Sequence, residues 1–320
     1  MLPRNALGRL SLASLGLLLM GSSCSTLAGK TSNPGVGADH PHALIIGLDG
    51  VRPDCLLAAH TPNLDSLMAQ GSYSLDAFAG GGSKASDLTT QATSSGPGWT
   101  SILTGVWRDK HGVHDNSFQG SNLDQYPHLF GRIRAAKPDA ELVSFAHWAP
   151  INEHLLRPNP GMATLALDCK SDLEVAVLAL DQLSTSDPDV LFLHFDDVDH
   201  AGHAFGYEAQ VPEYLAAIAL VDEKLGVVLQ GLRVRERETG ERWLVIATTD
   251  HGGLGTGHGG QSADERTIWL AARGPGIGQG AVSPGPGHTA VARTVLQHML
   301  GEVPRAWGMA DEQAFGLDSR

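Results

Sequence analysis

Apolar positions along the chain fall into two periods. Ala43–Leu48 (ALIIGL), Val190–Phe195 (VLFLHF) and Trp243–Thr248 (WLVIAT) are short, nearly continuous apolar runs, the pattern of strands buried on both faces of a sheet. Elsewhere the period lengthens. Thr61–Gln70 reads as a helix ended by Gly71, and DLEVAVLALDQL just before the second strand reads as another. Tyr214, Ile218, Val221, Leu225 and Val228 recur at helical spacing and predict the longest amphipathic helix. Thr289–Leu300 predicts a closing helix, and Gly80–Gly82 with the Ser/Thr-rich stretch to Gly98 predicts a long loop. Such alternation predicts an α/β fold: a mainly parallel central sheet flanked by helices on both faces. No internal repeat of useful period interrupts it.

The first residues follow neither period. Arg4 and Arg9 precede the apolar run Leu10–Met20, and small residues (GSSCSTLAG) follow. A basic start, a short apolar run and a small-residue exit read as a secretory signal peptide over 1–28; the run is too short for a comfortable membrane span. Two exits are open: a lipid-modified Cys24, with Gly21 where such sites usually carry a Leu-like residue, or cleavage after Ala28. Residues 29–41 then form a polar linker, and 42–320 form one catalytic domain, a length that one large core can fill. The expected location is outside the cytoplasm, periplasmic or anchored through the lipid, with no other membrane contact.

Composition changes the picture in one respect. With 42% hydrophobic and 18% charged residues the chain is an ordinary globular protein. Its formal charge of −13 offers no basic run for a nucleic-acid polymer. The three cysteines show no paired metal spacing; Cys55 and Cys169 could pair in an oxidising compartment, which spacing alone leaves open. Histidine stands out: of 15 copies, several sit beside Asp and Gly rather than along helical faces. Histidine is the commonest metal ligand.

Those histidines fall where the pattern ends its strands. Asp49-Gly50 follows the first strand, Asp196 to His203 the second, and Asp250-His251-Gly252-Gly253 the third. Ligands of open α/β sheets sit outside the carboxyl ends of the strands. Asp199 and His203, four apart, offer the mixed oxygen and nitrogen donors that suit a zinc-like ion. Taken singly, each motif is as readily a surface pair or a capped loop. Together, three Asp/His groups converging on one edge would be costly unless metals or partners satisfied them, and two metals are the simplest reading. The glycines after His251 are expected to let the backbone turn tightly. Ser95-Gly96-Pro97-Gly98 is a turn expected to lead into a short helix, about Trp99–Leu103. Its serine could be a mere cap, or a hydroxyl beside free N–H groups that favour a phosphoryl oxygen.

At these residues the chain resembles the alkaline phosphatase superfamily, and within it the type I phosphodiesterase/nucleotide pyrophosphatase family. The resemblance spans roughly residues 43–301 and carries six motifs in order: strand-Asp-Gly, a nucleophile loop ending in Thr104-Gly105, His111-Gly112 to Asn116, Asp199 to His203, Asp250-His251-Gly252, and His258-Gly259 ahead of Gly274-Pro275. It implies a fold of the alkaline-phosphatase kind and a phosphoester hydrolase with two divalent metal ions, zinc by resemblance, in a ligand set that manganese also suits. Ser95, nine residues before Thr104, takes the nucleophile's place, and Asn116 that of a donor to the phosphoryl oxygen. Asp49, Asp250 and His251 match the ligands of one metal, which Ser95 also joins; Asp199, His203 and His258 match the other. His288, in GPGHT, competes with His258 for the last position.

The implied substrate is a small phosphoester, attacked through a phosphoseryl intermediate, with the N–H after Ser95 and Asn116 binding the developing charge. The interval from Asp250 to His258 is much shorter than in the larger nucleotide pyrophosphatases, which leaves nucleotide specificity open. A phosphomonoesterase of the same superfamily is the alternative. A sulfatase fits less well, because Trp99 stands where the Cys/Ser-x-Pro-x-Arg signature has arginine. An inactive binding protein would be expected to have lost a ligand or the nucleophile, and this chain retains all of them.

Overall fold

The structure is a computed structural model that describes residues 40–82, 87–157, 162–311 and 313–317. The expected signal peptide, Cys24 and all but the end of the expected linker lie outside the described residues. In chain order the elements are β1 (His42–Leu48), α1 (Pro53–Ala58), α2 (Pro62–Ala69), β2 (Ser72–Phe78), α3 (Ser95–Thr104), α4 (Arg108–His111), α5 (Leu129–Ala136) and β3 (Leu142–Ala146). After a π-helical turn at Ile151–Leu156 come β4 (Leu165–Asp168), α6 (Asp172–Thr185), β5 (Val190–Phe195), α7 (Asp197–Phe205), α8 (Pro212–Thr239), β6 (Trp243–Thr248), α9 (Ala263–Arg266), β7 (Thr267–Arg273), β8 (Gly280–Ala281) and α10 (Ala290–Leu300).

The eight strands form one sheet in the order β4-β3-β5-β1-β6-β7-β2-β8. From β4 to β6 every pairing is parallel, and β7 is antiparallel to both its neighbours. Successive residues of β1 point to opposite faces, so its apolar run divides between two cores. Ala43 and Ile45 pack with α3, α5 and α10, whereas Leu44, Ile46 and Leu48 pack with α1, α2, α6 and α8. All of these side chains are fully buried, each Leu or Ile worth about 1.5–3 kcal/mol. Helices on both faces force continuous apolarity on the central strands. The expected α/β architecture is therefore the observed one.

Two sequence readings change in detail. The short helix expected at Trp99–Leu103 begins four residues earlier, at Ser95. Pro97 needs no N–H partner in a first turn, and at Gly98 an added Cβ would stand 2.9 Å from Asp250 Cβ, so the helix start packs directly on the end of β6. Cys55 and Cys169 are both buried free thiols; the disulfide left open by the sequence is not formed.

Candidate active site

The three central parallel strands β5, β1 and β6 end side by side, and each delivers part of the site. Asp49 follows β1 and donates its N–H to Phe195 O at the end of β5 (2.9 Å). Gly50 then turns with φ +66°, and an added Cβ would meet Asp199 Oδ1 at 2.6 Å. Only glycine lets the chain bend there while α7 lies this close. Asp250 and His251 follow β6, and Asp199 and His203 sit one turn apart on α7. His258 lies in the loop before α9.

These six side chains form two groups. In the first, His251 Nε2 lies 3.3 Å from both Asp49 Oδ1 and Asp250 Oδ2, and all three residues are fully buried. In the second, His203 Nε2 lies 3.3 Å from Asp199 Oδ2, and His258 Nε2 lies 3.8 Å from Asp199 Oδ1. The His251 and His258 rings stack with centroids 3.8 Å apart and join the groups. The first group is sealed, while the His203 side chain is 47% exposed and sits at the mouth.

Hydrogen bonding fixes how the imidazoles face. His251 Nδ1 bonds Gly252 O (2.8 Å), His258 Nδ1 bonds Thr93 O (2.9 Å), and His203 Nδ1 bonds Thr256 O (3.0 Å). A carbonyl only accepts, so every Nδ1 carries the proton and every Nε2 presents a lone pair inward. Metal-bound histidines are held in this way. His258 Nε2 and His203 Nε2 face each other at 3.0 Å, two lone pairs with no proton between them. Asp49 Oδ1, Asp250 Oδ2 and His251 Nε2 are buried without a hydrogen-bond partner. An orphaned buried polar atom costs about 1–3 kcal/mol, more if charged. A divalent cation in each group satisfies all of these atoms at once, so the residues fit metals.

Electrostatics agree. Burial, then the carboxylates of Asp250 and Asp199, hold Asp49 well above the ordinary carboxylate range. Asp250 is raised in the same way by burial and then Asp199. Burial and then His251 push His258 down to about 4, keeping it neutral and able to ligate.

Ser95, nearly buried, opens α3 beside these groups. Thr93 anchors His258 just before it, and Gly98 packs on Asp250 just after it. Asn116 Oδ1 accepts the Gly96 N–H (2.8 Å). The N–H after Ser95, expected to bind substrate, is therefore spent on orienting Asn116, whose amide NH2 remains as the donor. His288 is fully buried, stacks on Trp107 with centroids 4.9 Å apart, and belongs to no metal-capable group among the described residues.

The glycines after His251 serve a different purpose from the expected turn. Gly252 and Gly253 have no positive φ, but added Cβ atoms would stand 2.1 Å from Asp264 O and 2.3 Å from the Tyr207 ring. They admit close neighbours. Tyr207 uses that space to donate its hydroxyl to Asp199 Oδ1 (2.5 Å). Asp172, at the start of α6, accepts the N–H groups of Asp196 (2.8 Å) and Asp197 (3.2 Å) and so fixes the start of α7. Trp99 Nε1 donates to Asp49 Oδ2 (2.8 Å), which His194 Nε2 also meets (3.1 Å). Sequence reasoning missed Tyr207, Asp172 and His194, and the contact of Trp99 with Asp49. Only the register of β1 on β5, which sets His194 opposite Gly47 two residues before Asp49, would have marked His194, and the sequence does not show that register.

A doubly flanked, mainly parallel sheet with Asp/His groups at its central strand ends defines an alkaline-phosphatase-like protein. The profile of the type I phosphodiesterase/nucleotide pyrophosphatase family matches residues 43–132 and 147–259. The chain belongs to that family. It is 26% identical over 285 residues to an uncharacterised pyrophosphatase/phosphodiesterase of Schizosaccharomyces pombe, covering 82% of this chain and 54% of the relative. The chain thus spans about half the length of that curated relative. Among solved structures it is similar to murine ectonucleotide pyrophosphatase/phosphodiesterase 5 (TM-score 0.63, 15% identity, 82% of this chain and 95% of that one). It is also similar to a 2-O glycosaminoglycan sulfatase (TM-score 0.62, 14% identity, 86% of this chain and 76% of that one). At these identities the likeness concerns the fold.

Proposed function

We propose that this protein is an exported hydrolase of small phosphoric esters that works with two divalent cations, zinc by preference. The supporting observation is the inward convergence of three imidazole lone pairs and three carboxylates, with Ser95 on the segment between the Thr93–His258 bond and the Gly98–Asp250 contact. Asp49, Asp250 and His251 would hold one cation together with Ser95, and Asp199, His203 and His258 the other. The bound cations supply positive charge that lowers the proton affinity of neighbouring oxygens and neutralises the phosphoryl group. Ser95 Oγ then bonds to phosphorus as the bond to the departing alcohol breaks, leaving a phosphoseryl ester. Water displaces the serine oxygen in a second step and regenerates Ser95. Asn116 donates its free amide to the equatorial oxygen, a contribution of about 2.7–4 kcal/mol by analogy with oxyanion holes.

Dialysis against a chelator is expected to abolish turnover and zinc or manganese to restore it; full activity in demonstrably metal-free protein overturns the proposal. For ester type, the donor position that the family resemblance marks is held by the neutral Asn116, bonded to Gly96 next to Ser95, and supplies no fixed cation of the kind a dianionic monoester favours. Bis(p-nitrophenyl) phosphate is therefore expected to have a higher kcat/KM than p-nitrophenyl phosphate in one metal-saturated preparation. The reverse order moves the chain to a monoesterase of the same superfamily. Sulfate is disfavoured, because Trp99 bonds Asp49 at the position where that chemistry has an arginine.

A further inference from the structure

We infer that His194 and Trp99 are positioning residues that restrict Asp49 to ligation through a single oxygen. The inference rests on the two-cation reading above, and its argument begins with a tautomer. The Trp148 backbone N–H donates to His194 Nδ1 (3.3 Å). A backbone N–H has no other role, so Nδ1 is the acceptor and the ring proton of neutral His194 lies on Nε2. That proton points to Asp49 Oδ2 at 3.1 Å. Trp99 Nε1–H, a donor only, points to the same oxygen at 2.8 Å. Oδ2 is thus filled by two N–H donors. Oδ1 has none, although it is buried, and it is the atom 3.3 Å from His251 Nε2.

The carboxylate is therefore divided: one oxygen is held by the protein and the other is offered to the cation. The surroundings are built for this. Gly47 of β1 pairs with His194 of β5, and an added Cβ at Gly47 would stand 2.4 Å from Trp99 Cη2. The missing side chain is what allows the indole of α3 to lie over the strand and reach Asp49. The Trp99 and His194 rings meet edge to face with centroids 4.9 Å apart, so each fixes the other's orientation. Freed from these donors, Asp49 could rotate and chelate with both oxygens, which would add a ligand atom and alter the preferred metal geometry. Outer donors of this kind typically govern metal affinity by about 10–100-fold.

The test uses the full chain and zinc in competition with a chromophoric chelator, together with the visible spectrum of the cobalt(II)-substituted protein. Wild type is expected to bind two ions. His194→Leu, which removes the donor, is expected to weaken one site by about 10–100-fold and leave the other unchanged. The cobalt band should fall in intensity as coordination number rises. His194→Gln, which keeps an N–H donor, should recover most of the loss. Trp99→Phe should act in the same direction, and it guards against a folding defect specific to position 194. Unchanged affinity and spectrum in both His194→Leu and Trp99→Phe, with two ions bound, overturn this inference and leave the proposed function standing. Equal weakening of both sites without rescue by glutamine makes the role structural and also overturns it. Failure of wild type to bind zinc overturns both readings.

Discussion

Ser95→Ala is expected to lower kcat by at least about 10³-fold while leaving the zinc stoichiometry unchanged. Ser95 heads α3, and no other described element carries a hydroxyl between the Thr93–His258 anchor and the Gly98–Asp250 contact except its neighbour Ser94. Ser94 is extended, with φ −143° and ψ 160°, and its side chain caps nothing, so Ser94→Ala is expected to be nearly silent. The six candidate ligands, Asp49, Asp199, His203, Asp250, His251 and His258, come from other segments, which is why metal content should survive the loss of the serine. Two measurements separate the outcomes. Acid quench of wild type during turnover should trap phosphate on the peptide containing Ser95, and the same peptide from Ser95→Ala should carry none. A dead Ser94→Ala beside an active Ser95→Ala would shift the nucleophile by one residue. Trapped phosphate on neither serine would rule out the two-step route.

The parts of this fold most legible in the sequence are those whose physics is local. β5 and β6 have the bounds their apolar runs predict, and β1 starts one residue early, because burial on both faces leaves a continuous signal. The candidate ligands were legible where Asp49, Asp250 and His251 end such strands and Asp199 and His203 span one helical turn, whereas His258, in a loop, was placed by the family resemblance. The outer strands β2, β3, β4 and β8 were not singled out; β2 pairs antiparallel with β7 and β8 contributes only two residues, pairings that depend on partners distant in the chain. Trp99 shows the same limit inside the site. Within Ser95–Thr104 it reads as a packing residue, and it is fully buried, yet its indole N–H ends on a carboxylate from another strand. The glycines are instructive too. Gly252 and Gly253 are needed for what presses against them, which composition cannot reveal, whereas Gly50 combines both demands, a positive φ and a close neighbour.

The second large effect concerns stability rather than rate, and it changes sign with metal. Without metal, Asp49 and Asp250 are fully buried, and the negative charges of Asp49, Asp250 and Asp199 bear on one another. Both Asp49 and Asp250 are held above the ordinary carboxylate range, first by burial and then by the neighbouring carboxylates. The folded metal-free protein thus binds more protons than the unfolded chain, and its stability must fall as pH rises from the ordinary carboxylate range through the raised folded values. Asp250→Asn removes one charge, keeps an acceptor for the Gly50 N–H, and can place an amide donor toward the orphaned Asp49 Oδ1. In chelator at pH 8 the variant is expected to melt above wild type, by roughly 1–3 kcal/mol or a few degrees. Zinc should reverse the order. Wild type gains about 2.7 kcal/mol per site at a hundredfold excess over Kd, whereas the variant loses most of that gain at one site, and with it turnover. Thermal melts of both proteins, with chelator and with zinc, at pH 5 and pH 8, decide the matter. The metal-free advantage of the variant should shrink at pH 5, where protonation already relieves wild type. A variant that melts below wild type in chelator would mean that these carboxylates are held by something other than a cation.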